Sequence, residues 1–226
     1  MIIAERKPFA EIKAAVEPYE KILIAGCGTC VAVCLAGGEK EVGLLASQLK
    51  LARGQNGEPV KIGEITVERQ CDREFLQPLG NAVADYEVVI STACGAGVQF
   101  LAAMPDMIPV IPALNTTFIG VNEEAGFYTE RCRSCHNCYL GITGGICPVT
   151  MCPKGLLNGP CGGNIKGKCE VNPENDCAWC AIYERLERQG RLDLIDPILP
   201  LHPHARTTTP GVIIHQAYKR RYGGHE

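Results

Sequence analysis

Fourteen cysteines in a chain of 226 residues constrain this sequence more than any other feature. Five precede residue 95 (Cys27, Cys30, Cys34, Cys71 and Cys94) and nine follow residue 131 (Cys132, Cys135, Cys138, Cys147, Cys152, Cys161, Cys169, Cys177 and Cys180). The apolar start Met1 to Ala4 is interrupted by Glu5, Arg6 and Lys7, so it does not read as a secretory signal. A cytoplasmic location is therefore expected, and clustered thiols in a reducing compartment more often bind metal than form disulfides. No run approaches the roughly 18 apolar residues of a membrane span, so none is expected. A formal net charge of −3 offers no broad positive field for nucleic acid or anionic lipid to follow.

The split of the cysteines matches a change in pattern along the chain. Phe9, Ile12, Ala15 and Val16 repeat at helical spacing between Pro8 and Pro18, which predicts a short opening helix. Lys21 to Ala25 (KILIA) reads as a buried strand, broken by Gly26-Cys27-Gly28 and followed by a helical segment to Leu51 with a break near Gly37-Gly38. Glu64 to Arg69 is a second strand leading to Cys71, and Glu87 to Thr92 a third leading to Cys94, with a helical stretch to about Ala84 between them. Pro109 to Leu114 is a candidate fourth strand. Strands alternating with helices predict a small open parallel-sheet α/β domain over residues 1–125.

Over residues 126–190 the periodicity gives way to Gly, Pro, Asn and the nine rear cysteines, which predicts an irregular cysteine-rich metal-binding domain where metal substitutes for a large core. Asp176 is the expected cap of a closing helix that runs to about Gln189, with Gly190 past its end. Trp179 and Tyr183 on that helix read as packing residues. Residues 191–226 read as a C-terminal arm rich in Pro and His.

Cys27, Cys71 and Cys94 each follow a predicted strand, and parallel strands bring such ends to one edge of the sheet, where open α/β folds bind ligands. Cys30 opens the next helix, whose free N–H groups stabilise thiolate. Cys34 lies one turn further on and is either a substitute ligand, a neighbour of the site or a small buried residue. The turn from Gly26 to Val31 partly matches a dinucleotide fingerprint, but Val31 stands at the third glycine position and no P-loop lysine follows. Nucleotide binding is not expected here.

In the rear, Cys132, Cys135 and Cys138 form a CxxCxxC run whose spacing suits three corners of a cubane cluster, with Cys147-Pro148 or Cys152-Pro153 supplying the fourth ligand. Cys161, Cys169, Cys177 and Cys180 make a candidate second tetrathiolate site. Four thiolates hold structural zinc equally well, so zinc stands beside a 4Fe-4S cluster for this group. His136 reads as a solvent-facing or supporting residue. Lys154, Lys166 and Lys168 read as solvated lysines that also offset cluster charge.

The run GGICPVTMCPKGLLNGPCGGNIKGKCEV (residues 144–171), followed by Cys177-Ala178-Trp179, resembles the cysteine-rich C-terminal domain family associated with methylenetetrahydrofolate reductase. With the front domain included, residues 1–190 resemble the MetV-type small subunits of that enzyme from acetogenic bacteria. The resemblance implies 4Fe-4S clusters, one in the front domain and one or two behind. It also implies a MetF-type flavin-containing catalytic subunit as partner, a larger electron-donor complex, and a place in the methyl branch of the Wood–Ljungdahl pathway. The cysteines it carries over are Cys27, Cys30, Cys71 and Cys94 in front, and Cys132 to Cys180 behind. On this reading the chain is a non-catalytic, iron-sulfur electron-transfer subunit of an oxidoreductase complex. The competing expectation is a structural docking subunit whose zinc or iron–sulfur sites stabilise the catalytic subunit without carrying electrons. A third is an enzyme with an open metal position in the front domain, or one that binds a methyl carrier there, but five nearby cysteines are expected to close that position; the absence of a spaced serine, histidine and aspartate set or paired acids fits the relay.

Overall fold

Apolar strands and amphipathic helices alternate through the first half of the chain. In the computed structural model of the protein, which describes residues 1–57, 59–202 and 211–215, they are β1 (Ile2–Arg6), α1 (Phe9–Ala15), β2 (Lys21–Cys27), α2 (Cys30–Val33), α3 (Glu39–Gln55), β3 (Lys61–Val67), α4 (Gln77–Ala82), β4 (Val88–Ser91), α5 (Gly95–Ala102) and β5 (Val110–Pro112). The strands β3-β2-β4-β5 form one parallel sheet in that order, with Ile22 opposite both Ile62 and Val88. The chain is thus a mixed α/β protein. It divides into two compact units, Met1–Glu130 and Arg131–Glu226.

Period-two alternation in β2 supplies both faces of the sheet. Ile22 and Ile24 enter the layer of Ile12, Val16, Val42, Leu45 and Leu49, which come from α1, its C-terminal end and α3. Leu23 and Ala25 enter the opposite layer with Leu79, Val89 and Leu101. Ile22 and Ile24 are fully buried, and each such side chain contributes roughly 1.5–3 kcal/mol by leaving water. Arg53 closes the end of α1: its Nη2 donates to the carbonyls of Val16, Glu17 and Tyr19 at 2.8, 2.7 and 2.9 Å. The guanidinium thereby ties the chain that leaves α1 to α3.

A second sheet was not among the sequence expectations. The apolar start of the chain is β1, and it pairs antiparallel with β6 (Leu114–Glu124), which pairs in turn with β7 (Phe127–Cys132). Ile2 stands opposite Ile119, so the partner lies more than a hundred residues away and leaves no local trace. The helical stretch expected up to about Ala84 is also broken. It consists of α4 between two 3₁₀ turns, Arg73–Phe75 and Val83–Asp85.

The second unit is built mainly from turns, with α6 (Pro148–Met151) and α7 (Ala178–Arg188). Its small core is one face of α7: Trp179, Ile182 and Leu186 are buried, backed by Ile146, Leu156, Leu192, Leu194 and Ile195. Trp179 packs as expected and donates its indole N–H to the Leu156 carbonyl at 2.9 Å. Tyr183 does not pack; it is 48% exposed. The helix is capped by Cys177 rather than by Asp176, which pairs with Lys168 at 2.7 Å instead. At its other end Arg191 N–H bonds to the Leu186 carbonyl and Gly190 N–H to that of Glu187. Gly190 has φ +64°, the left-handed turn such a C-cap needs. In the tail, residues 203–210 and 216–226 of the expected arm lie outside the described residues. Among the described residues no helix is long and apolar enough to cross a membrane.

Candidate metal centres

The parallel register fixes three of the front cysteines. Cys27 is the last residue of β2, buried and opposite Val67, and its Sγ lies 3.9 Å from Thr29 Oγ1 and 4.0 Å from the Glu68 carbonyl. Cys71, itself exposed, follows β3 after a short loop, and Cys94 caps the N-terminus of α5 just after β4. Cys30 opens α2. Because β3 and β4 flank β2 on opposite sides, these ends surround the point where the sheet changes direction, the usual ligand crevice.

The thiols sense one another. Burial pushes the Cys71 thiol above its ordinary pKa, and the neighbouring thiols of Cys94, Cys27 and Cys30 push it further. Thiolates gathered in this way repel unless a cation lies among them, so the donor set suits a metal group. Cys34 has a different environment. It is buried, its Sγ lies 3.5 Å from the carbonyls of both Ala4 and Val31, and burial is the chief cause that raises its pKa.

In the rear unit, Ser134 and His136 stand between the cysteines of the CxxCxxC run with φ of 53° and 63°. This winding lets Ser134 N–H donate to Cys132 Sγ at 3.4 Å, while the Cys135 thiol reaches the Asn137 carbonyl at 3.4 Å. His136 is exposed. A second group gathers elsewhere: Cys152, Cys161, Cys169 and Cys177 all line one small cavity of about 20 Å³, walled by Leu156 and Trp179. The turn at Lys166-Gly167 makes this possible. Both residues have positive φ and join a two-bond hairpin between Ile165 and Lys168, after which Cys169 N–H bonds to the Asn175 carbonyl and Cys177 N–H to that of Gly167.

Cys161 Sγ approaches Glu170 Oε1 at 3.4 Å, and Glu170 pairs with Lys154. Lys154 is therefore an ion-pair partner at this cavity rather than a merely solvated lysine. Cys180 is absent from the lining but remains one helical turn from Cys177; burial, then a hydrogen bond with Cys177, pushes its thiol up. Cys147 caps α6. Among the described residues no group of three or more His, Cys, Asp or Glu side chains closes on a single point as one metal ion requires. The sulfurs are neighbours rather than a finished coordination shell.

Two buried polar residues at the front edge were not singled out from the sequence. Thr92 Oγ1 donates within reach of the carbonyls of Gly37 at 2.8 Å and Ala25 at 3.2 Å, and Gln70 is wholly buried beside Cys71. Neither belongs to a motif; their only sequence signal is that Gln70 directly precedes Cys71 and Thr92 stands two residues before Cys94.

A small parallel-sheet unit with strand-end thiols, followed by a turn-built cysteine-rich unit, is the class of protein these features define. Residues 111–204 match the family described as methylene-tetrahydrofolate reductase C terminal, a segment that takes in all nine rear cysteines. The match agrees with the resemblance carried by the NGPCGG and GKCE motifs. No curated protein and no solved structure matches the chain.

Proposed function

We propose that the chain is a cytoplasmic iron–sulfur electron-transfer subunit that works with a MetF-type, flavin-containing methylenetetrahydrofolate reductase subunit. The observation that carries this reading is the placement of Cys27, Cys30, Cys71 and Cys94 at one sheet edge, past the carboxyl ends of β2, β3 and β4 and at the start of α2. Soft thiolates beside helix starts match the donor preference of iron–sulfur clusters, and the family match to residues 111–204 supplies the enzyme context. A bound 4Fe-4S cluster supplies one-electron transfer at a potential tuned by its surroundings. The protein's part is to hold the four sulfurs, shield Cys27 from water and present the exposed Cys71 side outward.

For the rear unit we assign Cys132, Cys135, Cys138 and Cys147 to one centre, and Cys152, Cys161, Cys169 and Cys177 to another. Cys152 and Cys177 pack against the Trp179 core. This favours a fold-holding role for the second centre, with zinc as well suited as iron. If every centre were of that kind, the chain would be a docking subunit.

Anaerobic purification followed by iron, zinc and acid-labile sulfide analysis, with visible spectra before and after dithionite, tests the reading. Iron, sulfide and bleaching on reduction are expected. A preparation holding zinc alone supports docking and refutes the relay.

A further inference from the structure

One side chain connects the three strand ends that carry the front cysteines. Gln70 is 0% exposed. Its Nε2 donates to the carbonyls of Ala25 at 2.9 Å and Gly26 at 3.0 Å, and its Oε1 accepts from Ser91 Oγ at 2.7 Å. Ser91 Oγ in turn accepts the Ala93 N–H at 3.3 Å. Each arm of this network ends one residue before a cysteine: Gly26 before Cys27, Gln70 itself before Cys71, and Ala93 before Cys94.

We propose that Gln70 is the positioning residue of the front metal site. It sets the mutual spacing of the Cys27, Cys71 and Cys94 sulfurs, and through it the retention and reduction potential of the cluster. The inference rests on the reading given under Proposed function. Two physical points support it. Burying an amide is unfavourable unless its groups are bonded, and here both N–H groups and the oxygen are engaged. A residue needed only to fill space there would more readily be leucine or methionine.

The surrounding packing also holds the network in place. A Cβ at Gly97, in the first turn of α5, would lie 2.8 Å from Ala93 Cβ and 3.0 Å from Gln70 Cβ. The absence of a side chain at Gly97 lets the helix that starts at Cys94 press directly on the Gln70 backbone and stem. The Cys71 loop and the start of α5 are therefore in direct contact at Gly97.

The test uses the full chain, reconstituted anaerobically with iron and sulfide, as wild type, Gln70→Met, Ser91→Ala and Cys27→Ala. The difference between wild type and Cys27→Ala isolates the front signal, and circular dichroism reports folding. Gln70→Met is expected to stay folded, to hold front-site iron about tenfold or more weakly against a chelator, and to show an altered electron paramagnetic resonance spectrum and midpoint potential. Ser91→Ala should shift the same spectrum and potential in the same direction by less. A folded Gln70→Met variant with wild-type iron retention, spectrum and potential overturns the proposal. If that variant does not fold, an unchanged spectrum and potential in Ser91→Ala overturn it instead. Should wild type and Cys27→Ala carry the same iron and give the same spectra, the front cluster itself is refuted and the proposal falls with it. That outcome is read from the wild type and Cys27→Ala alone, without either network variant.

Discussion

The two halves of the chain hold their cysteines by opposite means. In the front unit a hydrogen-bonded parallel sheet with two apolar layers places the cysteines, so the unit has a core made of its own side chains. In the rear unit turns with positive-φ residues place them around three buried side chains of a single helix. Sulfur ligands can therefore be the product of a fold or one of its causes. On the function proposed above, the front cysteines are the ones whose scaffold does not depend on metal for its core.

Metal removal should separate the halves most strongly. Structural tetrathiolate sites contribute on the order of 10 kcal/mol to folding, as much as the whole of this small core. Chelation should open residues 131–180 to limited proteolysis while the front unit stays resistant, with fragment masses identifying the cut sites. Equal resistance of the two units would break the contrast. Next in size, Trp179→Ala should destabilise the rear unit by about 3–5 kcal/mol, and Ile24→Ala should destabilise the front by about 2–5 kcal/mol. Hydrogen exchange should confine each effect to its own unit.

Cys34→Ala sharpens the contrast within the front unit. Because the Cys34 thiol contacts the Ala4 and Val31 carbonyls, the variant should keep wild-type front iron and lose only about 1 kcal/mol of stability, read from the iron content and the thermal midpoint. The smallest expected effect is at Glu87, whose carboxylate accepts the N–H groups of Glu20 and Lys21 at 2.8 and 3.1 Å. These bonds hold its pKa below the ordinary carboxylate value. Its stabilisation is then complete above that ordinary value and lost as pH falls through the lowered one. Glu87→Gln should lower the thermal midpoint slightly near neutral pH and leave it unchanged in strong acid.

What the sequence reveals divides along the same line. KILIA, EITVER and EVVIST are local patterns, so the strands and the cysteines at their ends can be read directly. The pairing of β1 with β6 is not local, and only the folded chain discloses it. Gln70 sits in a polar loop sequence, and nothing local signals that its amide turns inward. In the rear, spacing shows that thiols cluster but not which ones share a cavity. The Lys166-Gly167 turn decides that by bringing Cys169 and Cys177 to Cys152 and Cys161, with Cys180 outside the lining. The expected Asp176 cap gives way to a Lys168 ion pair for the same reason, since a hairpin register competes with a local capping preference.

Electron transfer itself can be watched by rapid mixing. The dithionite-reduced chain, freed of excess reductant, is combined anaerobically with the oxidised flavin-containing catalytic subunit while the flavin and cluster absorbances are followed together. Flavin bleaching that matches cluster reoxidation, and that is abolished in Cys27→Ala although the two chains still associate, is the predicted result. A flavin that stays oxidised beside a fully reduced, bound partner would contradict it.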